Sequence, residues 1–103
     1  MSRDGLVVEG PLGRIELPGT TLAALVATAA EQVEGARVRR PRRGLDVTVA
    51  DGRATIELEL AVRLGAVVSE VAQAVQEQVA AAVAATTGLE VAAVDVAVEE
   101  LDE

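Results

Sequence analysis

The chain of 103 residues has no phenylalanine, tyrosine or tryptophan, no cysteine, no histidine and no lysine. Each absence removes a class of chemistry. Without cysteine and histidine there is no thiolate or imidazole to act as nucleophile or base, and the usual zinc ligands are missing. Without lysine there is no Schiff-base amine and no phosphate-loop lysine. Disulfides are excluded, which leaves the redox compartment open. Without aromatic rings there is no platform for stacking nucleic-acid bases. Half of the residues are apolar, but almost all of these are Ala, Val, Leu and Ile, so the core must be built from small contacts. Carboxylates, guanidiniums and a few hydroxyls are what remain for chemistry.

Long apolar runs are lacking too. The apolar-rich stretches carry charges every few residues and stop short of a membrane span, and the opening MSRDGLVVEG has no signal-peptide hydrophobic region. Length points to one domain, and the expectation is a soluble, cytoplasmic protein whose modest core favours self-association.

Positive charge is scarce and concentrated. Against 17 acidic residues stand nine arginines, for a formal net charge of −8. Five of those arginines, Arg37, Arg39, Arg40, Arg42 and Arg43, fall within RVRRPRRG, so the rest of the chain carries −13. An acidic body with one basic patch is a dipolar particle that attracts anions or copies of itself.

Periodicity supplies the elements. Residues 1–11 show no sustained period and end in Gly10-Pro11, which predicts a flexible N-terminal arm. In GRIEL, Ile15 and Leu17 alternate with Arg14 and Glu16 as in a short half-buried strand ended by Pro18-Gly19. A first helix follows from an N-cap at Thr20 or Thr21, with Leu22, Leu25, Val26, Ala29 and Val33 as its apolar stripe and Gly35 as the residue that turns the chain out of it. LDVTVA and RATIELELAVRL are both period-two runs, joined by Asp51-Gly52, the dipeptide best suited to a two-residue hairpin turn. That turn sets Ala50 against Arg53, Val49 against Ala54, Val47 against Ile56 and Leu45 against Leu58, so all the apolar residues share one face. The other face opposes Asp46 and Glu57, with Glu59 beyond.

Gly65 ends this strand and a long helix runs to about Thr87, with Val68, Val71, Val75, Val79, Ala82 and Val83 inward and Gly88 closing it. Val94, Val96 and Val98 alternate with Asp95, Ala97 and Glu99 in a last strand. Leu89 and Val91 are out of phase with it, which predicts a loop or bulge near Ala92-Ala93. The strands before and after the long helix should be parallel. The expected fold is α+β, a two-layer sandwich of one mostly antiparallel sheet with two helices on one face, in the order β-α-β-β-β-α-β. It occupies residues 12–99, followed by a frayed acidic tail at 100–103.

In the arginine segment, Val38 alternates with Arg37 and Arg39, as in an edge strand that Pro41 stops. Carrying the hairpin register backwards sets Arg40 and Arg42 near the level of Arg63 and Ala61, leaving Arg37, Arg39 and Arg43 as the outward contacts.

The run RLGAVVSEVAQAVQEQVAAAVAATTGLEVAAVDVAVE, with GRIELPGTTLAALVATAAEQVEGARV before it, resembles the alkaline shock protein family of bacterial cell-envelope stress proteins. The resemblance covers roughly residues 12–98. It rests on Gly13, Ile15, Val33 and Gly35, then Gly65, Val71, Gln76, Val79, Thr87, Gly88, Leu89, Val91, Val94 and Val96. It implies a small, non-enzymatic, cytoplasmic general-stress protein that lies near the membrane, often through a membrane-anchored partner, and forms multimers. The chain departs from the family pattern at Leu64, where relatives often have an aromatic, and at Glu99-Glu100, where they often continue Gly-Val. The arginine cluster is not part of the resemblance.

An enzyme needs a nucleophile beside a base, or carboxylates gathered in a cleft. Ser69 beside Glu70 reads as a helix cap or surface hydroxyl, and Asp46, Glu57 and Glu59 lie on an open sheet face. Two opposed carboxylates without a loop are too few for a metal cage. No catalytic, cofactor or metal site and no small-molecule substrate is therefore expected. The reading is a self-associating scaffold or adaptor of the envelope-stress type that binds a membrane-anchored protein. Arg37, Arg39, Arg40, Arg42 and Arg43 are its basic docking element, and Asp46, Glu57 and Glu59 its acidic face. The alternative is a peripheral module that uses the same arginines on anionic lipid or, less favoured by the acidic body and the missing aromatics, on nucleic acid.

Overall fold

A computed structural model describes residues 6–10, 12–17, 19–38 and 45–102. Eight elements follow one another: β1 (Leu6–Gly10), β2 (Gly13–Leu17), α1 (Gly19–Glu31), β3 (Ala36–Val38), β4 (Leu45–Ala50), β5 (Arg53–Arg63), α2 (Val68–Thr87) and β6 (Glu90–Asp102). The class is the expected α+β.

Strand β5 is the centre of the main sheet. The turn that starts it has positive φ at both central residues, 54° at Asp51 and 74° at Gly52, as a two-residue hairpin with right-handed twist requires. Strands β4 and β5 pair antiparallel in the register that this turn dictates, from Ala50 opposite Arg53 to Leu45 opposite Leu58. Strand β3 pairs antiparallel with the far half of β5, Val38 opposite Leu60 and Arg37 opposite Ala61. On the other side of β5, β6 runs parallel to it along its whole length, as the crossover through α2 implies.

The inward residues of β5, Ala54, Ile56, Leu58, Leu60 and Val62, are buried, as are Leu45, Val47 and Val38 on the neighbouring strands. Leu22, Val26, Ala29 and Ala30 of α1 and Val71, Val75, Val79 and Val83 of α2 complete the same core. Both helices therefore cover one face of the sheet. The strict four-residue spacing of the α2 valines gives a narrow stripe, and Gly88, at φ 76°, caps the helix by donating its N–H to Ala84 O at 2.9 Å. Thr87 supports the exit: its hydroxyl donates to Val83 O at 2.6 Å and accepts from the Leu89 N–H at 3.1 Å.

Several expectations are corrected. Leu6–Gly10, read as part of a flexible arm, form a strand paired with β2 from Leu6 opposite Leu17 to Gly10 opposite Gly13. The two make a separate two-stranded sheet, so β2 is not a member of the main sheet. Helix α1 stops at Glu31 rather than at Gly35. Bonds from Gln32 N to Ala29 O and from Val33 N to Ala30 O tighten its end, and Gly35, at φ 90°, makes the later turn into β3. The tail does not fray at Glu100: β6 continues to Asp102, opposite Arg63. The phase slip expected near Ala92-Ala93 is present, because Val91 pairs with Ala54 and Ala93 with Thr55, but a second one lies at Glu99, between the Leu60–Val98 and Ala61–Glu100 pairs. There the extra residue sets Leu101, rather than Glu100, opposite Val62.

Two substitutions test this core and its register. Ile56→Ala, at a residue with no solvent exposure, is expected to cost about 2–5 kcal/mol in urea unfolding. Gly52→Ala removes no packing, since nothing lies within 4 Å of the added Cβ, and is expected to cost about 1 kcal/mol from the positive φ alone.

Candidate functional site: an acidic sheet face

Because the helices cover one face of the sheet, the alternate residues of every strand form the other. Along β5 that face reads Arg53, Thr55, Glu57, Glu59, Ala61, Arg63. Asp46 of β4 stands directly opposite Glu57, and so does Asp95 of β6 from the other side. Three carboxylates thus form a straight row across three strands at the strand spacing of about 4.8 Å. Glu59 lies one step along β5, facing Ala97 on β6. Asp46, Glu57 and Asp95 are exposed and Glu59 is half-buried. Together they line a shallow, open depression of about 320 Å³.

Like charges directly opposed across a ladder are destabilising, and Glu57 meets two of them. Two arginines of this face are engaged elsewhere: Arg53 pairs with Glu90 at 3.7 Å and Arg63 with Glu34 at 3.6 Å, both in exposed positions. Surface pairs of this kind contribute little stability, but they leave the centre of the face negative. The carboxylates are spread along a ladder, and among the described residues no group of acidic side chains converges as a metal cage would.

Sequence reasoning placed Asp46, Glu57 and Glu59 on one face, and the structure brings these three together. It missed Asp95. The alternation of the last strand set Asp95 opposite in sense to Val94 and Val96, but nothing local tied that strand to Glu57. Its register with β5 follows from the α2 crossover and the slip at Ala92.

Of the five arginines in the basic segment, Arg37 is described; Arg39, Arg40, Arg42 and Arg43 lie outside the described residues. Arg37 is exposed and stands opposite Ala61, on the same sheet face as the acidic row. This corrects the backward extension of the hairpin register, which gave that position to Arg42. Strands β3 and β4 run in the same direction along one side of β5, yet Val38 faces Leu60 and Leu45 faces Leu58. An unbroken strand would reach Leu58 five residues earlier, so β3 and β4 are not one continuous strand. Where β3 ends, the Val38 N–H donates to the Glu31 carboxylate at 3.1 Å, so the end of α1 satisfies the free edge of that strand.

Glu57→Gln removes charge from the middle of the row. It is expected to stabilise the domain by roughly 0.2–1 kcal/mol at low salt, fading as salt is added. Glu59→Gln, with Ala97 opposite, should have the smaller effect in the same urea titrations.

No described helix is long and apolar enough to cross a membrane. The family model that matches, over residues 36–102, is that of the alkaline shock proteins, described as having a cell envelope-related function. Neither a curated protein nor a solved structure matches the chain.

Proposed function

The chain belongs to the alkaline shock protein family, with a cell envelope-related function, and from that premise we propose that it is a non-enzymatic scaffold that associates with itself and docks on a membrane-anchored protein. The observation that carries this reading is the in-register carboxylate row Asp46–Glu57–Asp95 on one sheet face, in a chain whose positive charge is concentrated in the sequence from Arg37 to Arg43. A row of like charges spread along an open sheet face is poorly placed for proton transfer, which needs groups converging on a bound substrate. It is well suited to receiving basic residues, because fixed charges lose little entropy on pairing and steer encounter from a distance.

The basic segment is the complementary surface. Arg37, Arg39, Arg40, Arg42 and Arg43 meet the acidic face of another copy, or acidic residues of the partner, in a head-to-tail contact that has no need to close. Attraction of the same arginines to anionic lipid is the second reading. The body charge of −13 opposes it as soon as the rest of the domain approaches a negative leaflet.

The test is light scattering across a salt series, with pelleting on vesicles of anionic lipid and on duplex DNA. Assembly is expected to fall as salt rises, with no pelleting. Arg37→Ser, Arg39→Ser and Arg43→Ser together should weaken assembly at least tenfold while leaving the thermal transition in place. A monomer at all salt concentrations would sink the reading, and strong vesicle pelleting lost in the triple variant would replace it with the lipid one.

A further inference from the structure

Two parts of this chain are left without the neighbour that their kind of structure needs. The first is the β1–β2 hairpin, which, among the described residues, pairs with no strand of the main sheet. An isolated two-stranded hairpin is marginal in water. The second is the outer edge of β6, a strand of 13 residues that, among the described residues, pairs on one side only, with β5. The Val94 carbonyl accepts a hydrogen bond from Gln76 Nε2 at 3.0 Å, which shows that the Val94 backbone groups point away from β5. Those of Val96 and Val98 point the same way by strand alternation. The core is also unfinished there. Leu58 and Leu60 of β5 are 2% and 0% exposed, whereas Val96 and Val98, directly opposite them on β6, are only half-buried.

We propose that β2 of one copy adds as a strand to the free edge of β6 in a second copy. This rests on the self-association proposed above and names a surface for it. Charge complementarity selects β2. The Gly10–Gly13 pair turns the backbone groups of Ile15 and Leu17 toward β1, so with these two aligned to the outward-pointing Val96 and Val98 the added strand runs parallel to β6. Glu16 then falls opposite Ala97 and Arg14 opposite the Asp95 carboxylate. Strand β1 fails the same comparison. With Leu6 and Val8 on the two valines, Glu9 meets Glu99 or Asp95, a like-charge pair in either direction. Pairing β6 with itself about Ala97 likewise opposes Asp95 and Glu99.

The added strand makes main-chain bonds to the outward groups of Val96 and Val98, and its apolar residues cover the half-buried valines. The stretch from Ala93 to Val98 is free of register slips, which gives it room for a strand of the length of β2. The same contact places the hairpin on a sheet, so each copy supplies what the other lacks.

Sedimentation equilibrium of the full chain tests this. Arg14→Glu is expected to weaken association at least tenfold with an unchanged circular-dichroism melt. Adding Asp95→Arg to that variant should restore it, whereas Glu99→Arg should not. Association of Arg14→Glu equal to that of the unmodified chain overturns the proposal, as does failure of the Asp95→Arg reversal. So does a monomeric chain whose hairpin amides are protected from hydrogen exchange, since the hairpin would then dock within its own copy. If the triple arginine-to-serine variant dissociates while Arg14→Glu does not, assembly through the basic segment stands and edge addition falls.

Discussion

The Asp51–Gly52 turn is the constraint from which the rest of the domain follows. Positive φ at both residues holds β4 and β5 in a single register, and a strand has a side-chain period of two, so a slip by one residue would exchange its faces. With this register, Leu45, Val47, Ala54, Ile56 and Leu58 go to the helices while Asp46, Glu57 and Glu59 go to the open side. One local choice thus creates both the core and the candidate site. The carboxylate row accompanies the burial of the valines and leucines beside it, because alternate residues of the same strands make both.

The thinness of the core explains how the chain is arranged around β5. No ring fills space in this protein, so burial depends on close approach of small residues. Alanine and glycine permit it: Ala29, Ala30 and Ala54 are buried, and an added Cβ at Gly35 would come within 3.7 Å of both Ala66 and Val71. Side-chain hydrogen bonds then fasten the periphery. Glu31 takes the Val38 N–H, Gln76 reaches the Val94 carbonyl, and Gln78 of α2 donates to Gln32, just past the end of α1, at 2.8 Å. The core closes well under β4 and the centre of β5. It stays open at β6, and the exposed Leu64, Val67, Val68 and Leu101 lie toward the end of the sheet where β5 and β6 finish. A domain with its burial finished at one edge and unfinished at the other has a direction in which association is favourable.

Electrostatics adds a second asymmetry. Positive charge is concentrated in the sequence between Arg37 and Arg43, and negative charge is spread over the sheet face and along β6. Beyond the register slip at Glu99, β6 continues to Asp102. In the proposed reading, recognition by this cell envelope-related protein lies on strand faces and strand edges, which is why its proposed partners are surfaces.

By itself the sequence determined whatever depends on neighbours along the chain: the β4–β5 register through a two-residue turn, the valine stripe of α2 with its Gly88 cap, the slip at Ala92 from a phase error of one residue, and the shared face of Asp46, Glu57 and Glu59. Tertiary structure alone decided how separated segments align. It added Asp95 to the row, set Arg37 rather than Arg42 opposite Ala61, paired Leu6–Gly10 with β2 apart from the main sheet, and placed the slip at Glu99 that keeps β6 straight on course to Asp102. The physical reason is that a period-two pattern states which face a residue takes but not which residue stands beside it. A tight turn supplies that second fact, whereas a 20-residue crossover helix or a seven-residue step from Val38 to Leu45 leaves it to the packing of the whole domain.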